Sequence, residues 1–163
     1  RGLGDVYKRQ APSHVELSHN DGGQIDGKPW SSDMIKGKIW AVFYVDPDER
    51  NTNESMESAL AQENFPTEKF GSIAVINMDA TWLPNSVLSS SLKSKQEKFP
   101  RVLYVRDEAK KMVKTWNLKD DAYVTIIFDK LGRVLWTKDG KLTHSDTEKL
   151  IEVIRLHLDD PAA

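Results

Sequence analysis

The 163-residue chain contains no cysteine. Disulfide reduction, disulfide isomerisation and thiol-peroxidase turnover each need a thiolate nucleophile, so composition alone excludes them. Long hydrophobic runs are also missing: no stretch approaches the roughly 18 apolar residues that a membrane-spanning helix needs. Nor does one sign of charge dominate. Lys and Arg number 23 against 25 Asp and Glu, a formal net charge of −2, and the basic residues are spread along the sequence, which leaves no nucleic-acid footprint. The four histidines, His14, His19, His144 and His157, fall in no metal-ligand spacing, and Ser89, Ser90 and Ser91 lack the G-x-S-x-G frame of a nucleophile elbow. The absence of cysteine leaves the compartment open, since exported and cytosolic proteins alike can do without it.

What is present suits one domain. With 39% hydrophobic and 29% charged residues, a chain of this length buries a core without disulfides. The opening decapeptide RGLGDVYKRQ is basic, lacks an apolar stretch and resembles a translated sequencing adapter. Residues 1–10 are therefore set aside as non-native, with the native start and any export signal expected upstream. Residues 11–38 read as an N-terminal extension with an edge strand or hairpin, 39–158 as the main domain and 159–163 as a tail.

In the extension, residues 15–17 alternate weakly before the turn signal Asn20-Asp21-Gly22-Gly23. Residues 39–45 are apolar without alternation, as expected of a strand buried on both faces of a parallel sheet. The run breaks at Asp46-Pro47, after which Asn51, Thr52 or Asn53 caps a helix reaching about Asn64, with Met56, Ala59 and Leu60 at helical spacing. Residues 73–78 read as a second central strand, and a strand, helix and strand of this length make a right-handed crossover and a parallel pair. A helix from about Ser86 has Val87, Leu88 and Leu92 on its apolar side and Lys93 to Lys98 toward solvent, and Pro100 ends it. A short strand over 102–105 and a short helix over 109–116 follow. Residues 123–128 and 133–137, joined by Asp129-Lys130-Leu131-Gly132, read as an antiparallel hairpin. Thr143 with Asp146, or Ser145 with Glu148, then opens a final helix on Leu150, Ile151, Ile154 and Leu158. The order describes an α/β domain with a central mixed sheet flanked by helices, thioredoxin-like in its succession of elements.

Particular blocks sharpen that reading. Asn77-Met78-Asp79-Ala80, Ser90-Ser91-Leu92, Glu97-Lys98-Phe99-Pro100, Trp116-Asn117-Leu118 and the long block from Val124 to Thr143, with Phe128-Asp129-Lys130, Trp136 and Lys138-Asp139-Gly140, resemble the YtfJ family. The resemblance covers about residues 35–158. It implies a small bacterial, periplasmic protein of thioredoxin-like fold, and the family offers no established activity to inherit. More broadly the chain is similar to exported redoxins of the TlpA and peroxiredoxin type. Those carry a CxxC or a single cysteine after the first central strand and a cis-proline before the hairpin; here Asp46-Pro47-Asp48-Glu49-Arg50 replaces the cysteines, and Tyr123 falls near the proline position.

Two functional readings follow. In an open α/β sheet ligands gather beyond the carboxyl ends of the strands, where Asp46, Asp48 and Asp79 are expected together. Converging there, they would hold a divalent cation such as Mg²⁺ or Ca²⁺ and serve a metal-assisted hydrolase or phosphatase. Solvated loop acids near a helix N-terminus are the plainer account. A strand ending in D-x-D also resembles haloacid-dehalogenase phosphatases, but Glu49-Arg50 stands where their small pair follows. The other reading is a non-catalytic module that binds an envelope protein or small ligand, with Trp82 and Tyr123 as further candidate contacts, since an active site needs acids, bases and nucleophiles in mutual reach and this chain offers carboxylates alone. Of the five tryptophans, Trp40 and Trp136 are expected in the core and Trp116 as the anchor of its helix; Trp30 and Trp82, exposed together, would mark a partner surface.

Overall fold

The computed structural model describes residues 10–161. Strands β1 (Glu16–Leu17), β2 (Gly22–Gln24) and β3 (Trp30–Ser31) lead into β4 (Ile39–Val45), helix α1 (Glu54–Gln62), β5 (Phe70–Asn77), α2 (Asn85–Lys98) and β6 (Val102–Asp107). There follow α3 (Lys111–Trp116), β7 (Tyr123–Phe128), β8 (Val134–Asp139) and α4 (His144–His157). The main sheet runs β2-β6-β5-β4-β7-β8; β4, β5 and β6 are parallel, while β7, β8 and β2 are antiparallel to their neighbours. Strand, crossover helix and parallel strand thus occur twice, the first time as the 39–78 segment predicts.

Both faces of the sheet are covered. One carries α3 and the N-terminal segment, where Val15, Leu17, Trp30 and Ile35 join Met112 and Trp116 over Val42, Tyr44 and Val124. The other carries α1 and α4, with Met56, Leu60, Leu150 and Ile154 on Ala41, Phe43 and Ile127. On that same face α2 covers only the β5–β6 side, through Leu88 and Leu92 on Ala74 and Tyr104. Gln96 fixes α2 further: its amide donates to Val102 O at 2.7 Å and accepts from Tyr104 N at 3.0 Å, satisfying the edge of β6 that the short β2 does not reach.

Local signals and structure differ at several points. Asn53 occupies the N-cap position of α1, but its side chain does not cap the helix. It is buried and spans instead to the β8–α4 loop, donating to Gly140 O at 3.1 Å and accepting from Leu142 N at 2.8 Å. The Asn20–Gly23 signal makes no local hairpin: residues 19–21 form a 3₁₀ turn, β2 pairs with β6, and β1 pairs with β3. Gly22 is required there, because its φ is +124° and a Cβ would lie 1.9 Å from Arg106 O. Trp40 and Trp136 are half-buried rather than fully in the core, whereas Trp116 is fully buried and donates its indole N–H to Ser13 O at 2.6 Å. Trp30 is buried and Trp82 is 87% exposed, so the two do not form a shared surface. Gln10, counted with the decapeptide, accepts a hydrogen bond from Val134 N at 3.0 Å on the outer edge of β8. Residues 1–9 lie outside the described residues.

The capping box of α4 is as the spacing predicts. Thr143 accepts from Asp146 N, and Asp146 accepts from Thr143 N and binds Lys138 Nζ at 2.5 Å. Asp129 organises the β7–β8 hairpin, taking the N–H groups of Leu131 and Arg133, each at 2.9 Å.

Candidate functional site

The carboxyl ends of β4 and β5 place Asp46, Asp48 and Asp79 along one edge of the sheet. Asp46 follows β4 directly, its amide donates to Ala122 O at 2.9 Å, and its carboxylate takes Asp48 N at 2.8 Å, capping the 3₁₀ turn Pro47–Glu49. Burial raises its pKa, the Asp48 amide holds it back, and the charges of Asp48, Asp121 and Glu49 add to the rise. Asp48 accepts from the Thr81 hydroxyl at 3.3 Å. Arg50 turns back onto Pro47 O, at 2.9 Å. Asp79 contributes its charge to the surroundings of Lys110 and Tyr44. Among the described residues no group of three or more His, Asp or Glu side chains is placed to hold a metal ion.

Behind this edge stands a polar framework that local sequence patterns do not reveal. Asn77, at the end of β5, donates to Asp120 at 2.9 Å, and Lys110 donates to the same carboxylate at 2.6 Å. Burial alone would raise the Asp120 pKa, but Lys110, the Asp121 amide and Asn77 together hold it below its ordinary value. Asp107 is completely buried and accepts from the Tyr44 hydroxyl at 2.8 Å and from the amides of Lys111 and Met112 at 2.9 Å, so it starts α3 and ties it to β4.

Tyr123 lies beside Asp46 through the Asp46–Ala122 hydrogen bond, but its ring enters the α1 face. Its hydroxyl donates to Glu57 at 2.5 Å and its ring meets Phe43 edge-on at 6.1 Å. Burial, followed by the Glu57 charge, raises the Tyr123 pKa. Tyr104, on β6, is pushed up to about 12 by the same two causes. Glu57 also rises through burial, while the Tyr123 hydrogen bond and the Lys95 charge oppose the shift.

These groups lie in a groove of about 1000 Å³ between α1 and α2. Phe43, Val45, Ala74, Ile76 and Tyr104 are among its lining residues, and Tyr123 stands at the end nearer Asp46. The cause is local: α2 is 14 residues long yet buries only Leu88 and Leu92, so it cannot cover the sheet as far as α1. The polar positions Lys95 and Lys98, expected to face solvent, form one wall of this opening, and Glu57 is on the other. That α2 has so few apolar positions was the one sequence signal for an uncovered sheet. Trp82 stands apart from the groove lining.

The profile of the family described as "Bacterial protein of unknown function (YtfJ_HI0045)" matches residues 10–157. An uncharacterized protein named YtfJ from Escherichia coli (strain K12) is 24% identical over 139 residues, which is 83% of this chain and 75% of that protein. An uncharacterized protein of Haemophilus influenzae (strain ATCC 51907 / DSM 11121 / KW20 / Rd) is 28% identical over 131 residues, 78% and 71% of the two chains. Among solved structures, the exposed lipoprotein thioredoxin Etrx1 of Streptococcus pneumoniae strain TIGR4 superposes with a TM-score of 0.63 at 14% identity, covering 88% of this chain and 99% of that one. The fold is thioredoxin-like.

Proposed function

Since the chain belongs to the YtfJ_HI0045 family of bacterial proteins of unknown function, we propose that it is a non-catalytic binding module of the bacterial envelope that takes its ligand in the groove between α1 and α2. The observation that carries this reading is the groove: its volume lies at the upper end of the range of small-molecule sites, about 300–1000 Å³, and its floor is apolar with a few placed polar groups. The cysteine-free turn at Asp46 supports it by removing the chemistry common on this scaffold. Support for an envelope location comes from the family resemblance and from the pneumococcal neighbour, which is an exposed lipoprotein.

A metal-assisted hydrolase at Asp46, Asp48 and Asp79 is the weaker reading, because Asp46 already uses its carboxylate to cap its own turn. The binding reading is tested by native mass spectrometry of the protein taken undenatured from envelope extracts, as wild type and as Ser58→Trp, which plugs the groove from an exposed position on α1. The expected result is a bound mass on the wild type that the variant lacks. A wild type free of any adduct, or an adduct that persists unchanged in Ser58→Trp, contradicts the proposal.

A further inference from the structure

We propose that the groove accepts a long-chain carboxylate, its head at a basic mouth formed by Lys38, Lys98 and Arg101 and its chain lying over Phe43 and Ile76 toward Tyr123. This rests on the binding reading above and adds to it the class of ligand and the direction in which it lies.

The direction comes from the distribution of charge. Lys38 immediately precedes β4, Arg101 immediately precedes β6 and Lys98 ends α2, so all three mark the edge at which the parallel strands begin. Their hydrogen bonds and ring contacts go to neutral groups. Lys38 donates to Thr67 O at 2.8 Å and lies 4.6 Å from the centre of the Trp40 ring; Arg101 holds Asn64 Oδ1 at 3.0 Å and Phe65 O at 2.5 Å; Lys98 lies 5.4 Å from the Phe99 ring. Among the described residues none of the three forms a salt bridge. Asp26 also lines the groove, but it has Lys28 beside it at 3.7 Å.

The opposite end lacks that excess of positive charge. Glu54 and Glu57 line it together with Arg50 and Lys95, which offset their charge, and Asp46 and Asp48 stand just beyond on the strand-end turn. An anionic head finds balanced charge there and an excess of cations at the mouth, which attracts it. The Tyr123 hydroxyl there already donates to the Glu57 carboxylate, so it is not free to donate to an anionic head. Between the ends lie Phe43, Ile76 and Tyr104, an apolar floor running along strands of seven and eight residues, roughly 20 Å at about 3.3 Å per residue. An unbranched chain suits that length and floor. A neutral alcohol leaves the cations of the mouth without a counter-ion, and a quaternary ammonium meets them with like charge.

Titration of isotope-labelled protein with octanoate, decanoate and dodecanoate, kept below micelle-forming concentrations, tests the assignment, with dodecanol and dodecyltrimethylammonium as head-group controls. Dodecanoate is expected to shift the amide resonances of Phe43, Ile76 and Lys98, with affinity rising about fourfold for each added methylene. Lys98→Glu should weaken dodecanoate at least about fivefold and Lys98→Arg should restore it. Thermal melts of both variants confirm that they are folded. Equal binding of the alcohol or the ammonium compound, or no effect of Lys98→Glu, overturns the carboxylate assignment and leaves the groove as a binding site for another class. Unchanged resonances with every probe overturn the inference altogether, while an adduct lost in Ser58→Trp would still uphold the binding module.

Discussion

Replacing Tyr44 by Phe tests the framework that holds the strand ends. The ring is buried and its hydroxyl makes one hydrogen bond, 2.8 Å to Asp107, whose carboxylate is itself completely buried and accepts the amides of Lys111 and Met112. Removing the hydroxyl leaves the ring's packing intact and deletes one bond to a charged acceptor, worth about 1.5–3 kcal/mol. Because Asp107 keeps both amides, the cost belongs in the lower half of that range, about 1.5–2 kcal/mol. For a chain of this size about 2–4 °C is lost per kcal/mol, giving a fall in Tm of about 3–8 °C. Asp107→Ala removes all three bonds and orphans the Tyr44 hydroxyl, so it should cost more than about 3 kcal/mol, and the double variant should recover the Tyr44 contribution as coupling. Urea unfolding followed by tryptophan fluorescence measures each, with the m-value checked for constancy. A Tyr44→Phe protein within about 0.5 kcal/mol of wild type, the ordinary scatter of a surface substitution, would refute the reasoning.

Further outcomes follow from the groove and its frame. Glu57 has its pKa raised above the ordinary 4.5, so the native state holds the proton more tightly and stability falls as pH rises through 4.5 toward the folded pKa. Glu57→Gln, which keeps an acceptor for Tyr123, should flatten that decline in melts from pH 4 to pH 7 (roughly the carboxylate range and above); parallel curves would contradict the assignment. Gly22→Ala sets a Cβ 1.9 Å from Arg106 O at a φ of +124° and should cost more than about 2 kcal/mol in urea unfolding, whereas a neutral result would mean that β2 does not hold this register. Thr143→Ala breaks the capping box of α4 and should cost about 1 kcal/mol by the same measurement; no change would refute the cap's contribution. Melts with Mg²⁺, Ca²⁺ or Mn²⁺ should coincide with those in chelator for wild type and Asp46→Asn; stabilisation of wild type alone would revive the metal reading.

The parts legible in the sequence are those written in short-range patterns. The unbroken apolar run of β4, the 143–146 capping pair and the Asp129–Gly132 turn each join residues a few positions apart, and each forms as its pattern predicts. Asn53 shows the limit. Its local context specifies a helix cap, yet its side chain joins residues 87 and 89 positions away because tertiary packing places unpaired loop groups beside it. The same limit applies to Asp107 and Tyr44, 63 residues apart, and to the Asn77–Asp120–Lys110 set. Strand order did place Asp46, Asp48 and Asp79 at one edge, but it did not show that Asp46 is spent on its own turn. The groove was hidden because it is made by uncovered surface: Tyr123 was singled out for its position before the hairpin, while Lys95 and Lys98 read as ordinary solvent-facing helix residues and no local pattern drew attention to Glu57.

Hydrogen exchange of the wild-type protein, alone and with the small-molecule fraction of a bacterial envelope extract, is the most direct test of the proposed groove site. Slower exchange is expected in α1 (Glu54–Gln62) and in the second half of α2 (Asn85–Lys98), with the turn at Pro47–Glu49 unaffected and the protection absent from Ser58→Trp. Protection confined to the turn and the Asp79 loop, or none in either helix, would contradict it.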